Sequence, residues 1–120
     1  MIKQSKVWGE TAKIFSLNNV EIHRIEIEPG GYCSEHCHEF KYNQFFIESG
    51  EIEVTIYRDN GIEETTVLKP YDQTTVPPKL VHKFKANRKS IVYEIYWVAM
   101  EGEDIVRRTV GGKITNKKIK

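Results

Sequence analysis

Residues 30–38, Gly-Gly-Tyr-Cys-Ser-Glu-His-Cys-His, decide the fold of this chain when they are read together with Pro-Pro-Lys-Leu-Val-His at residues 77–82. His36 and His38 stand two residues apart, so on an extended strand their imidazoles share a face, roughly 6.5 to 7 Å apart along the backbone. His82 can supply a further nitrogen from a neighbouring strand. Three of the four histidines therefore predict one metal site.

Working outward from these stretches, short alternating segments broken by turns predict an all-β chain. Residues 20–28 place His23, Ile25 and Ile27 on one face and stop at the turn signal Pro-Gly-Gly. Asp59-Asn60-Gly61 is a strong hairpin signal, because Asn and Gly tolerate positive φ. Further strands are predicted at residues 32–38, 43–48, 51–57, 63–68, 74–76, 82–85 and 90–100, and a short helical pattern is confined to residues 102–107. Strands at this spacing are typical of an antiparallel sandwich or barrel.

Composition narrows the classes of function. The chain has 120 residues, which favours one domain, and 18 Lys plus Arg against 17 Asp plus Glu, which leaves no charge footprint for nucleic acid or an anionic membrane. No run of eighteen apolar residues and no signal-peptide pattern is present, so we expect a soluble cytoplasmic protein. We expect the domain to span residues 1–110 and residues 111–120 to form a flexible basic tail.

The two cysteines are predicted to be free thiols. On a regular strand Cys33 and Cys37 would share a face about 13 Å apart, too far for a disulfide. Both would have the opposite parity to His36 and His38, which argues against a mixed Cys/His zinc site. Free thiols also fit a reducing compartment.

The two histidine stretches carry a family resemblance. Residues 30–38, followed by Asn43 and Gly50, resemble the first motif of the cupins, and residues 77–82, followed by Asn87, resemble the second. The similarity is greatest to the small C-terminal cupin domain of type II mannose-6-phosphate isomerases and mannose-1-phosphate guanylyltransferases. The Trp-Gly pair at residues 8–9 and residues 103–107 look like the opening and ending of that domain. The resemblance implies a single-domain cupin jelly-roll β-barrel.

It also implies a divalent metal, which could be Mn, Zn, Fe or Ni, held at the barrel mouth by His36, His38, His82 and a glutamate. Asn43 occupies the position of that glutamate here. An amide oxygen is neutral and a weaker ligand than a carboxylate, so this substitution leaves a largely neutral ligand set. Gln44 and Glu39 are close enough in sequence to replace Asn43.

Other departures from the family pattern lie at the same mouth. Phe45 stands where the family has a tryptophan, and Lys79 stands where the second motif has a glycine. Because lysine is penalised at positive φ, we expect the turn before His82 to be built differently. Lys79, Gln44 and Phe45 are the residues that we expect at the substrate rim, where Lys79 could meet a phosphate as a point charge.

Three functions remain open. The first is aldose/ketose isomerisation of a sugar or sugar phosphate, which needs a base and an electrophile; Glu94, Tyr93 and His23 are the candidate bases from their strand positions. The second is oxygen chemistry or metal-dependent lyase chemistry at a three-histidine iron site, which the loss of the glutamate favours. The third is a sugar-binding module without turnover. The resemblance further implies a homodimer formed by sharing strands at a sheet edge.

Overall fold

The computed structural model describes residues 2–99 and 108–114, and this part of the chain contains strands and no helix. The all-β prediction is therefore confirmed, while the helical pattern predicted at residues 102–107 lies outside the described residues. None of the described residues forms a helix long and apolar enough to cross a membrane. The strands are β1 (Ile2–Lys6), β2 (Gly9–Leu17), β3 (Val20–Ile27), β4 (Tyr42–Ser49), β5 (Ile52–Tyr57), β6 (Glu63–Leu68), β7 (Gln73–Val76), β8 (Val81–Ala86) and β9 (Ser90–Trp97).

These strands form two antiparallel sheets with the core between them. One sheet has six strands in the order β1-β2-β3-β9-β4-β7, and the other has three in the order β6-β5-β8. Alternate residues of each strand point inward and exclude water, and burying each large aliphatic or aromatic side chain stabilises the fold by about 1.5–3 kcal/mol. The buried core consists of Ile25, Ile27, Cys33, Phe45, Ile47, Ile52, Val54, Leu68, Val76, Phe84, Ala86 and Val92. This is the architecture expected of a jelly-roll barrel.

The sequence pattern did not predict β1 and β2, and the structure shows why. Five of the nine residues of β2 are exposed, and its register shifts between Lys13 and Phe15, so apolar residues do not alternate along it. The polar strand β1 pairs only with β2, at one edge of the larger sheet. Strands with little buried surface leave a weak period-two signal.

The predicted strand at residues 32–38 is an extended segment with two isolated bridges to β8, Tyr32 to Lys85 and His36 to His82. The segment advances four residues between the bridges, from Tyr32 to His36, whereas β8 spans only three, from Lys85 to His82. The segment therefore carries one extra residue between the bridges. The extra residue breaks the alternation of side chains. The parity expected for the cysteines is therefore wrong: Cys33 is buried, whereas Cys37 is exposed. Both thiols are free, as predicted.

The turn before His82 keeps the conformation that the lysine was expected to prevent. Lys79 has a φ of 71°, in the left-handed region that favours glycine. Its backbone N–H donates to the carbonyl oxygen of His38 at 2.7 Å. The expectation of a different turn is therefore wrong, because this hydrogen bond helps to offset a conformational cost of roughly 1–2 kcal/mol.

Gly50 lies where the turn between β4 and β5 approaches the start of β9. Its φ is 90°, and a Cβ there would overlap the Ser90 hydroxyl oxygen and the carbonyl oxygen of Lys89. Gly61 has a similar φ of 81° in the β5–β6 hairpin, but a Cβ at that position would meet nothing within 4 Å. Substitutions at these two glycines therefore distinguish the free-energy cost of the left-handed backbone from the cost of steric overlap.

We expect Gly50→Ala to lower the free energy of unfolding by about 3 kcal/mol or more, because it adds overlap with backbone atoms to the left-handed strain. Gly61→Ala carries the conformational cost alone, about 1 kcal/mol. Urea unfolding followed by circular dichroism measures both. Equal losses in the two variants would contradict the close approach at Gly50.

Candidate metal centre

Three histidines converge at one end of the barrel. The ring nitrogens that His36, His38 and His82 can offer to a metal all lie within 4.8 Å of one another. The rings are 4.7–5.6 Å apart between centroids. His82 is 1% exposed, and the other two are half-buried. The sequence prediction that these three side chains meet is therefore supported by their positions.

Backbone pairing brings the histidines together. The backbone N–H of His36 donates to the carbonyl oxygen of His82 at 3.1 Å, and the N–H of His82 donates to that of His36 at 2.8 Å. Residues paired in this way face each other across an antiparallel bridge, so their side chains leave on the same face. Lys79 then anchors the backbone of His38.

Hydrogen bonds from the rings fix which nitrogen carries the proton on two of the histidines. Nδ1 of His82 lies 3.0 Å from the carbonyl oxygen of Leu80, and Nδ1 of His36 lies 2.8 Å from that of Ser34. A carbonyl accepts only, so each Nδ1 carries the proton and donates it. In the neutral ring Nε2 then has its lone pair available, as in metal-bound histidines with an oriented outer nitrogen.

Two buried polar atoms in this part of the structure lack a protein partner, and both belong to the expected ligand set. They are Nε2 of His38 and Oδ1 of Asn43. Buried polar atoms are nearly always satisfied, so each orphaned atom needs an explanation. A cation between the histidines would supply it for Nε2 of His38, and a set of imidazole nitrogens fits a divalent transition metal.

Burial favours the neutral form of two of the histidines, His38 and His82, and a metal requires that form. Burial lowers the pKa of His38 to about 4, and the adjacent His36 and His82 contribute to the shift. Burial also lowers the pKa of His82, although its hydrogen bond to Leu80 opposes the shift.

A buried carboxylate lies beside the histidines, on a different strand from the family glutamate. Glu94 of β9 is 8% exposed, and its Oε2 accepts hydrogen bonds from Asn43 Nδ2 at 3.2 Å and from the Tyr96 hydroxyl at 2.6 Å. Asn43 Nδ2 is also 3.5 Å from Nε2 of His82. Burial and the neighbouring Glu94 raise the pKa of Tyr96, so its hydroxyl stays protonated and donates. The carboxyl group that position 43 lacks is thus present on β9, one hydrogen bond away from Asn43.

A cavity of about 300 Å³ opens next to this group. His36, Glu94, Tyr96 and His23 line it, with β1 and β2 forming another wall. His23 contacts Glu21 through Nε2 at 3.2 Å, and its ring meets the Tyr96 ring edge-on at 5.5 Å. The cavity is large enough for a small organic molecule. Its remaining lining residues are Gln4, Lys6, Trp8, Thr11, Cys33, Ser34 and Phe84.

Cys33 reaches this cavity without joining the metal group. Its Sγ accepts a hydrogen bond from the backbone N–H of Phe84 at 3.3 Å, and burial raises the pKa of its thiol to about 11. The protonated thiol is a poor metal ligand.

Other residues predicted for the site are placed elsewhere. Tyr93 points to the outer face of the sheet, where its hydroxyl donates to Glu48 at 2.7 Å. Gln44 also points outward, to Gln73, and Glu39 is exposed. Phe45 is 1% exposed and packs beneath His82 as part of the core.

Two lysines bear on the phosphate contact predicted for the substrate rim. Lys79 does not line the cavity, whereas Lys6 of β1 does, and no ion pair to Lys6 occurs in the described part of the chain. Sequence reasoning missed Lys6 because it missed β1. It also missed Tyr96, although its parity with Glu94 was a usable signal.

The fold and the site define a small jelly-roll barrel with a candidate histidine metal centre at its mouth. The chain belongs to the cupin family: the family described as Cupin domain matches residues 23–99. No curated protein sequence matches the chain significantly.

Solved structures share this fold at low sequence identity. KdgF from Halomonas sp. has a TM-score of 0.72 and 17% identity, over 83% of this chain and 90% of that one. A variant of oxalate decarboxylase from Bacillus subtilis has a TM-score of 0.74 and 16% identity, over 81% of this chain and 27% of that one. The Cnp3 cupin domain of Schizosaccharomyces pombe has a TM-score of 0.70 and 18% identity, over 82% and 69%. At these identities the likeness shows the fold alone.

We expect His82→Ala, alone or combined with His36→Ala, to weaken the binding of a divalent metal by more than about 100-fold, because even partners behind the ligands are worth about 10–100-fold. The matched control His23→Ala removes a cavity histidine outside the group and should leave the affinity unchanged. Titration calorimetry with Mn²⁺ and Ni²⁺, together with elemental analysis of untagged protein, measures this. Equal metal content in all variants would contradict the site.

We expect the protein stripped of metal by EDTA to lose stability as the pH falls from about 6.5 towards 4. The unfolded chain protonates His38 near its ordinary pKa of 6.5, whereas the folded chain does so only near 4, so protons favour the unfolded state in that window. The loss is at most about 3 kcal/mol, and less because the ring is partly exposed. Unfolding in urea at pH 7 and pH 4.5 measures it, and His38→Gln should reduce the difference. If the stability difference between pH 7 and pH 4.5 is the same in His38→Gln as in the native protein, the lowered pKa of His38 is contradicted.

Proposed function

We propose that this cupin is a metal-dependent enzyme that moves a proton between adjacent carbons of a sugar or sugar phosphate, as in aldose/ketose isomerisation. The observation that carries the proposal is the position of Glu94. Its carboxyl group is buried close to the histidines and faces a cavity, which supports a role as general base. The sequence resemblance to mannose-6-phosphate isomerase supports the choice of substrate.

Glu94 is held for this role by its neighbours. Both of its side-chain hydrogen bonds, from Asn43 and Tyr96, end on Oε2. Oε1 is therefore left to take a proton from one carbon of the substrate and return it to the next. Tyr96 stays protonated and fixes the orientation of the carboxylate. Asn43 acts as a positioning residue, because its amide joins Glu94 to the histidine group.

A divalent metal held by His36, His38 and His82, with Oδ1 of Asn43 completing the set, would stabilise negative charge developing on the substrate oxygens. Mn, Zn, Fe and Ni all remain compatible with these ligands. The manganese centres named for Bacillus subtilis oxalate decarboxylase give a precedent in another protein of this fold.

The cavity walls suit a small polar molecule. Gln4, Thr11 and Ser34 offer hydrogen bonds, and the Trp8 ring offers an apolar surface against which a sugar could pack. Lys6 lines the cavity, which supports a contact with a phosphate or carboxylate as a point charge. His23, hydrogen-bonded to Glu21 at the cavity wall, is a candidate to pass protons towards solvent.

Iron-dependent oxygen chemistry is the second candidate function, and the neutral ligand set favours it. Three imidazoles and an amide leave the metal its full charge, and such a centre suits a ferrous ion that binds both substrate and dioxygen. Glu94 would then hold the substrate through its polar groups. A sugar-binding module would use the same cavity without turnover.

The test is proton exchange in heavy water. Protein loaded in turn with Mn²⁺, Zn²⁺, Ni²⁺ and, under anaerobic conditions, Fe²⁺ is incubated with mannose 6-phosphate or fructose 6-phosphate, and NMR follows deuterium at C1 and C2. We expect exchange that Glu94→Gln lowers by about 100-fold or more without loss of metal. Tyr93→Phe, on the outer face of the same strand, is the matched control and should keep full exchange.

The other outcomes separate the alternatives. Oxygen uptake by the iron-loaded protein without proton exchange would replace the isomerase by the oxygenase. Binding of the sugar phosphates, measured by calorimetry, with neither exchange nor oxygen uptake would replace it by the binding module. Exchange that is equal in the native protein and in Glu94→Gln would remove Glu94 as the base.

A further inference from the structure

A second cavity, of about 310 Å³, lies next to the one beside the metal group, which we call the metal cavity. Both cavities have the same two walls: the hairpin of β1 and β2 on one side, and residues 28–36 on the other. Trp8, in the turn of the hairpin, lines both of them. The two cavities are therefore neighbouring parts of one cleft.

The alternation of side chains explains how one pair of walls builds two cavities. On the hairpin, Lys6 lines the metal cavity and Val7 lines the second one. On the facing segment, Tyr32 lines the second cavity and Cys33 lines the metal cavity. Successive side chains of extended backbone point to opposite sides, so each wall presents residues to both cavities.

Hydrogen bonds and packing hold these walls in place. The backbone N–H of Glu28 donates to the carbonyl oxygen of Trp8 at 2.8 Å, which joins the segment to the hairpin. The N–H of Ala86 donates to the carbonyl oxygen of Gly31 at 2.9 Å, which joins the segment to β8. The Trp8 ring packs edge-on against that of Phe84, with centroids 5.0 Å apart. The second cavity is thus already formed, as ligand sites usually are.

The side chains around the second cavity suit a neutral sugar unit. Tyr32 is 65% exposed and Trp8 is half-buried, so both offer ring surface to a ligand. A sugar ring has apolar C–H patches between its hydroxyl groups, and aromatic side chains with an apolar body and a polar tip match such a surface. Glu28, which lies 4.0 Å from Lys89, is the charged residue among the described lining. Its carboxylate accepts hydrogen bonds from hydroxyl groups and disfavours an acidic ligand.

The two cavities differ in what they can do chemically. His36 and Glu94 line the metal cavity, whereas no histidine is among the described residues that line the second one. The second cavity therefore suits a part of the ligand that does not react. Each cavity alone is at the lower end of the range of about 300–1,000 Å³ for ligand sites, and the whole cleft lies well within that range.

We infer that the substrate carries a second, neutral sugar unit, which lies against Trp8 and Tyr32 while the reacting unit occupies the metal cavity. The inference rests on the proposed function for the choice of a sugar, but it concerns binding and not the chemical step. Contacts to the second unit would hold the reacting carbons beside Glu94, because binding energy from a remote part of a substrate can be used to orient its reacting part.

The test measures binding to the Mn²⁺-loaded protein by calorimetry. Sorbitol is compared with maltitol, cellobiitol and lactitol, in which the same sorbitol unit carries a glucose or a galactose at O4. None of these probes has a carbonyl group, so binding is measured without turnover. We expect at least one of the three larger probes to bind about 10-fold more tightly than sorbitol, because its second unit adds contacts to two aromatic rings.

Three variants locate the second unit. Tyr32→Ser should weaken binding of the larger probe by about 5-fold or more and leave sorbitol unchanged, because one aromatic contact is lost. Trp8→Phe should weaken both, since Trp8 lines both cavities. Tyr71→Ser is the matched control: Tyr71 is 77% exposed and lines neither cavity, so this variant should bind every probe as the native protein does.

The outcomes distinguish this inference from the proposed function. If none of the three larger probes binds more tightly than sorbitol, or if Tyr32→Ser leaves the preference intact, the second sugar unit is excluded. Phenol binding that Tyr32→Ser weakens, without any preference for the larger probes, would replace the sugar by an apolar ligand. A preference for a larger probe in a protein that shows no proton exchange would keep the second unit and remove the isomerase, and exchange without the preference would do the reverse.

Discussion

The reciprocal backbone pairing of His36 with His82 is the constraint on which the site depends. Two hydrogen bonds, of 3.1 and 2.8 Å, join a segment that otherwise has little regular pairing to the start of β8. They direct both imidazoles to the same side, and the bond from Lys79 to His38 holds the third histidine at the same end. The two histidine stretches are 44 residues apart in sequence, and this bridge aligns them.

Packing a metal-binding group into the mouth of a barrel places polar atoms beside the apolar core. Asn43 is fully buried and Glu94 nearly so, and Glu94 lies opposite the core residue Phe45 in the register of β9 and β4. Burial of an ionised carboxylate is tolerated only with strong hydrogen-bond donors, and Asn43 and Tyr96 provide them. The atoms that the described residues leave without a partner are Nε2 of His38 and Oδ1 of Asn43. The polar group is thus stable as a unit, and a cation would complete it.

The chain departs from the family ligand pattern because its carboxyl group lies on β9, at Glu94, and not at position 43 of β4. Asn43 is paired with Tyr96 in the register, and the next inward pair is Phe45 with Glu94. The carboxylate is therefore displaced by one inward position and one strand, and the hydrogen bond from Asn43 connects the two places. The side chains on the opposite face of β9 are mostly apolar. Alternate residues of this strand therefore face the polar site and the outer surface of the sheet.

The sequence by itself determined the strands from β3 to β9, the meeting of three histidines and the position of Asn43 among them, because each depends on period-two alternation or on turn residues within a few positions. Tertiary structure decided side-chain directions and neighbours that the local alternation of residues cannot predict. The extra residue between Tyr32 and His36 turned Cys33 inward, and the weakly patterned strands β1 and β2 formed a cavity wall that includes Lys6. It also separated Glu94 and Tyr96 from Tyr93, which sequence position alone had grouped together. These outcomes depend on which strands become neighbours and in which register, and that is set by burial across the whole barrel.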